Sequence, residues 1–206
     1  MNVYRALKND VEGVIEHLSS FRCNKAEYYR VRSESLEGMP RVGRAARFIY
    51  LNRFCFNGLY RTNKQGRFNV PYGGYKTGDL PSANLLRACA VSLRNAALVS
   101  DSFEQTLQQV RSGDFAYLDP PYSIEARRVF NEYSHYSFGT RELQRLRGHL
   151  LRLSRMGASF LVSYGVSHEA HELAKGFRCR EVVVQRQIAG FVNKRRKSRE
   201  LLITNY

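Results

Sequence analysis

Four consecutive residues, Asp119-Pro120-Pro121-Tyr122, follow the apolar run Phe115 to Leu118 and combine groups suited to activating an amine. The exocyclic amine of a nucleobase is a poor nucleophile because its lone pair is delocalised into the ring. The Asp119 carboxylate and the Pro120 carbonyl can each accept one amino hydrogen, draw the nitrogen toward a tetrahedral shape and aim its lone pair at an electrophilic methyl group. Two prolines hold the backbone still, and Pro121 has no N–H with which to satisfy the Pro120 carbonyl. Tyr122 offers a ring for stacking on the base. An amine engaged in base pairing is out of reach, so this chemistry requires the base to be flipped from its helix. The competing reading of the same residues is a plain strand-ending turn, which Asp and Pro both favour.

Ligands of open α/β sheets bind beyond the carboxyl ends of the strands, so the tetrapeptide needs a sheet behind it. Phe115 to Leu118 and Ala158 to Val162 read as strands, with helical spacing from Thr140 to Arg155 between them. Phe177 to Ile188 and Glu200 to Thr204 read as two more strands, an antiparallel pair joined by a basic stretch. Helices are expected at Ser82 to Asn95 and Ser102 to Val110, with a short strand at Ala96 to Val99 between them. Val3 to Phe21 spaces its apolar residues as a single amphipathic helix does. Ala45 to Tyr60 reads as a buried helix in which Asn52, Arg53 and Asn57 are out of place. The basic, glycine- and proline-punctuated stretch after it, Arg61 to Pro81, reads as an exposed loop or small hairpin. The expected architecture is an α/β core, residues 1–23 and 81–206, interrupted by a helical insertion at 24–80.

The chain has 206 residues, 33 Lys and Arg against 18 Asp and Glu, and a formal net charge of +15. Such a field attracts polyanions in a salt-dependent way, and nucleic acid is the leading partner. The four cysteines, Cys23, Cys55, Cys89 and Cys179, are too dispersed for a metal or redox pair and read as buried free thiols. No H-E-x-x-H pattern accompanies His168 and His171, so no metal is expected. Residues 194–197, KRRK, read as a phosphate-contacting turn or a solvated hairpin tip. Without a membrane-spanning run or a signal peptide, a cytoplasmic location is expected.

The wider text resembles the Dam-type, adenine-N6-specific DNA methyltransferases nearly from end to end. RFIYLNRFCFNGLYRTNKQGRFNVPYG (Arg47 to Gly73) is similar to that family's signature ahead of its target-recognition region, FAYLDPPY (Phe115 to Tyr122) to its catalytic strand, and SRELLITNY (Ser198 to Tyr206) to its last strand. The resemblance implies a Rossmann-like methyltransferase sheet, S-adenosylmethionine as methyl donor, and a flipped adenine of double-stranded DNA as acceptor. It makes Asp119, Pro120, Pro121 and Tyr122 catalytic, with Asp119 also beside the donor. Asn57, Arg61, Asn63, Asn69, Pro71 and Tyr72 fall in the DNA-facing segment, joined by Lys76, and by Tyr133 and Phe138 in the stretch after the catalytic motif.

Two departures qualify the match. The family's opening glycine motif and its Pro-Phe-x-Gly-Gly-Gly loop, which hold the donor, do not occur, so the chain is expected to begin just after the second strand, with the donor half supplied by an upstream segment or a second chain. Gly74 stands where family members specific for GATC place an arginine suited to reading guanine, which leaves the target sequence open. A non-catalytic DNA-binding remnant is the alternative function, and cytosine N4, RNA or a protein amide are alternative acceptors.

Overall fold

A computed structural model describes residues 1–74, 78–121, 139–185 and 197–206. They form two compact units, Met1–Ser100 and Asp101–Tyr206.

The first unit is helical. The single helix expected at Val3 to Phe21 is two, α1 (Asn2–Asn9) and α2 (Val11–Ser19). Asp10 separates them: its carboxylate accepts from the Gly13 amide, so a residue that looks like part of a continuous pattern is the N-cap of a new helix. Then come α3 (Lys25–Ser33), α4 (Arg41–Phe54), a single 3₁₀ turn at Phe56–Gly58, and α5 (Ala83–Leu93) capped by Ser82. Leu7, Val14, Leu18, Tyr28, Val31, Tyr50, Phe54, Val70 and Leu86 share one buried core. Side chains of residues 1–23 therefore pack with the segment that follows them. Arg47 is buried in this unit, 8% exposed, and donates to the carbonyls of Val31 and Arg32 at 2.9 and 2.8 Å. It thereby satisfies the otherwise orphaned carboxyl end of α3.

No strand forms at Ala96 to Val99. The Ala96 carbonyl accepts from Lys8 Nζ at 2.7 Å and the Leu98 carbonyl from Arg5 at 3.0 Å, so side chains of α1 take the acceptors that a neighbouring strand would use. The cysteines are unpaired, as expected, but only Cys55 is buried and Cys89 half-buried; Cys23 and Cys179 are exposed.

The second unit is mixed α/β, with α6 (Phe103–Gln108), β1 (Phe115–Leu118), α7 (Thr140–Arg155), β2 (Ser159–Gly165), α8 (His168–Ala174), β3 (Arg178–Gln185) and β4 (Lys197–Thr204). The sheet order is β1-β2-β4-β3; β1 and β2 are parallel and the other pairs antiparallel, as expected for the last two strands. Leu143, Leu146, Leu150 and Leu153 line one stripe of α7 and meet Phe160, Val162, Tyr164, Leu201 and Ile203 in one core. Each such side chain contributes about 1.5–3 kcal/mol by burial. At the start of α7, Glu142 accepts from the Gly139 amide at 3.1 Å, and this contact holds its carboxyl below the usual carboxylate range.

Candidate active site and nucleic-acid interface

The described sheet brings Asp119, Pro120 and Pro121 to the carboxyl end of β1. The register of β1 on β2 is fixed before the strand begins: Asp114 accepts from the Arg111 amide through its carboxylate at 2.8 Å and from the Ser159 amide through its carbonyl at 2.9 Å. From there Phe115 pairs with Ser159 and Leu118 with Val162. Alternation along β1 directs Ala116 and Leu118 to the core and leaves Phe115 and Tyr117 exposed. The next residue, Asp119, emerges at the carboxyl end of the strand and is exposed, with Pro120 half-buried beside it. Among the described residues neither the Asp119 carboxylate nor the Pro120 carbonyl has a hydrogen-bond partner.

The stretch between α4 and α5 is the small hairpin allowed by the sequence. Thr62 bridges Phe68 in antiparallel sense, flanked by Asn69 N–H to the Arg61 carbonyl at 3.1 Å and Asn63 N–H to the Arg67 carbonyl at 2.9 Å. Its tip is an Asx turn: the Asn63 side-chain oxygen accepts from the amides of Gln65 and Arg67, both at 3.0 Å. Gly66 supplies the positive φ of 74° that the tip requires. Arg61 donates through Nε to the Asn69 side-chain oxygen at 2.8 Å and through Nη2 to the Asn69 carbonyl at 3.4 Å, which ties the exposed side chain to the second strand.

The base of the hairpin is tied to the carboxyl end of α4. Phe56 N–H donates to the Pro71 carbonyl and Gly73 N–H to the Phe54 carbonyl, both at 2.8 Å, and Tyr28 Oη donates to the Val70 carbonyl at 2.9 Å. The three residues that fit a buried helix poorly find their reasons here. Asn52 Nδ2 donates to the Gly58 carbonyl at 2.9 Å, Arg53 Nε donates to the Asp79 carbonyl, and Asn57 adopts the left-handed φ of 54° that turns the chain out of the helix.

Of the residues expected to face DNA, Arg61, Asn63 and Asn69 converge on one face of the hairpin, and Asn57 and Pro71 lie exposed at its base. Tyr72 is the exception. It is half-buried, bridges Cys55 and sets its ring 5.4 Å from Tyr28, so it supports the turn from inside. Lys76, Tyr122, Tyr133 and Phe138 lie outside the described residues, as do residues 194–196 of the basic stretch. Sequence reasoning overlooked Arg67, which the hairpin register sets opposite Asn63 on the same face as Arg61 and whose side chain is exposed. The signal was available in the spacing of the hairpin. No group of three or more His, Cys, Asp or Glu suited to a metal occurs among the described residues, and none of their helices is long and apolar enough to cross a membrane.

Comparison with known proteins decides the family. The family model described as D12 class N6 adenine-specific DNA methyltransferase matches residues 1–188. The chain belongs to that family. It is 35% identical over its whole length to the type II methyltransferase M1.LlaDCHI of Lactococcus lactis subsp. cremoris and 36% identical to the type II methyltransferase M.MjaIII of Methanocaldococcus jannaschii, covering 76% of each. It is 30% identical to a DNA adenine methylase of Haemophilus influenzae, with 98% of this chain and 73% of that protein aligned. As a member of the D12 class this chain is an adenine-specific DNA methyltransferase, and a methyl donor and DNA are its substrates.

Proposed function

We propose that the adenine to be methylated is flipped out of double-stranded DNA and received at the end of β1, with Asp119 and the Pro120 carbonyl accepting its two amino hydrogens and Tyr122 stacking on the ring. The observation that carries this is the pair of acceptors left open at that strand end in a chain of an adenine-N6 family. Pro121 keeps the Pro120 carbonyl available, because it has no N–H to direct toward it. Draining the amino hydrogens into two acceptors localises the nitrogen lone pair, and the hydrogen that leaves on methylation has an acceptor already in place. The donor, S-adenosylmethionine, supplies the methyl group as a cationic sulfonium. The Asp119 carboxylate, exposed and without a cationic partner among the described residues, fits such a neighbour.

The sheet of the second unit is on this reading part of a Rossmann-like methyltransferase sheet, with its site beyond the carboxyl end of a parallel strand. The hairpin of the first unit reads the DNA. Arg61, exposed and steadied by Asn69, offers its guanidinium to a base or a phosphate; Asn63 builds the tip, and Asn57 and Pro71 set its base. A net charge of +15 holds the duplex while the site is sampled.

Replacement tests the assignment. Asp119→Ala in the native protein is expected to lower the methylation rate by about three orders of magnitude while duplex binding stays within about twofold. Methylation at the normal rate would remove Asp119 from the chemistry.

A further inference from the structure

The hairpin has two faces with different chemistry. Alternation places Arg61, Asn63, Arg67 and Asn69 outward, while Thr62, Phe68 and Val70 turn toward the core of the first unit, where Val70 is 2% exposed. The aromatic side of this arrangement continues beyond the core. Tyr60, which precedes the first hairpin strand, lies with its ring centroid 5.7 Å from Phe68 and 5.5 Å from Phe48 of α4. The three rings form a ladder from helix to hairpin, tilted at 38° and 47°, within the range where aromatic pairs attract. Tyr60 is nevertheless 62% exposed and Phe48 40% exposed. Burial therefore explains little of why two large rings stand here, and their position as a brace explains more.

The brace adds to the ties at the base of the hairpin, on the side of the first strand. Its base is held through Pro71, Gly73 and the 3₁₀ turn, all on the second strand's side or at the helix end. On the first strand's side, Cys55 Sγ reaches the Leu59 carbonyl at 3.2 Å, and Asn69 N–H to the Arg61 carbonyl binds the two strands to each other. The Tyr60 ring links that strand directly to α4. A tilt of the hairpin by a few degrees moves the Arg61 guanidinium by a sizeable part of a hydrogen-bond length, enough to spoil a bidentate contact with a base edge.

We propose that Tyr60 is a positioning residue for target recognition: its ring, wedged between Phe48 and Phe68, fixes the angle at which Arg61 and Asn69 are presented to DNA. This rests on the reading of the hairpin as the DNA-facing element. Tyr60→Phe keeps the ladder and is expected to leave recognition unchanged, whereas Tyr60→Ser removes the middle rung. Two measurements on the native protein separate the brace from the DNA reading. In hydrogen exchange, Tyr60→Ser is expected to speed exchange of the Asn63 and Asn69 amides by tenfold or more relative to Tyr60→Phe, on the order of 1.4 kcal/mol of local stability. In selection from a pool of randomised duplexes, Tyr60→Ser is expected to lose about tenfold in motif enrichment while retaining salt-dependent binding to unselected DNA. Phe48→Ser removes the helix end of the ladder and is expected to reproduce both effects, which covers the case in which Tyr60→Ser does not fold. Unchanged exchange in both serine variants overturns the brace, whatever the DNA result. Faster exchange with undiminished enrichment overturns its role in recognition. A native protein that enriches no motif, with exchange altered as expected, contradicts the DNA reading of the hairpin and with it the recognition part of the proposal.

Discussion

The hairpin at Arg61 to Asn69 and the end of β1 at Asp119 carry the two halves of the proposed function, and they are built in opposite ways. In the hairpin the polar side chains are already engaged: Asn63 with two amides, Arg61 with Asn69. At the end of β1 the described acceptors are engaged by nothing, although the strand beneath them is fixed in register by Asp114. An element that reads shape and base edges gains from internal bonds, because each bond removes a conformation that would otherwise have to be frozen on binding. An element that must take two hydrogens from a substrate loses function if its acceptors are spent within the fold.

This contrast can be broken by substitution. The largest effect is expected for Asp119→Asn, about a thousandfold in methylation, with a melting temperature within about 1 °C of the parent because no internal partner is lost. A fall of several degrees in a thermal scan would mean that the carboxylate is structural. Arg61→Ala comes next: it removes a guanidinium worth about 1–3 kcal/mol of discrimination, or roughly ten- to hundredfold in specific over unselected DNA affinity, which competition binding measures. Asn69→Ala leaves the arginine but frees it, and about 1 kcal/mol, near fivefold, is expected in the same assay. An equal or greater loss in Asn69→Ala than in Arg61→Ala would make Asn69 the reader and Arg61 its support.

The smallest effect concerns pH. Glu142, at the first turn of α7, has its carboxyl lowered first by the Gly139 amide that it accepts from. A carboxylate lowered on folding contributes stability that is present above its unfolded value, near pH 4.5, and is lost as pH falls through the lower folded value. Stability of Glu142→Gln should therefore depend less steeply on pH below that value, with little difference near neutrality. Parallel denaturation curves in acid would show that the carboxylate is not linked to folding.

Much of the second unit was legible because its signals are local. The stripe of leucines placed α7 at Thr140–Arg155, and the short apolar run before an acid and two prolines placed β1. What escaped depends on contacts between distant residues. Asp10 looks like one more polar position in a helical pattern until its carboxylate is seen capping α2. Ala96 to Val99 has the composition of a strand, but Lys8 and Arg5 occupy its carbonyls. Cys23 and Cys179 have mixed neighbourhoods in sequence and turn out exposed. The candidate site divides the same way. Asp119 and Pro120 could be read from four adjacent letters, and Arg61 from its motif, but the spending of Asn63 on the tip and the inward turn of Tyr72 follow from tertiary packing.

The central claim is that the open acceptors at the end of β1 direct methyl transfer to adenine N6 in DNA. It is tested most directly by incubating duplex DNA with the native protein and methyl-labelled S-adenosylmethionine, digesting to nucleosides and locating the label by mass spectrometry, in parallel with Asp119→Asn. Label in N6-methyldeoxyadenosine that falls about a thousandfold in the variant is the predicted result. Label in 4-methyldeoxycytidine, or undiminished N6-methyldeoxyadenosine from Asp119→Asn, would contradict it.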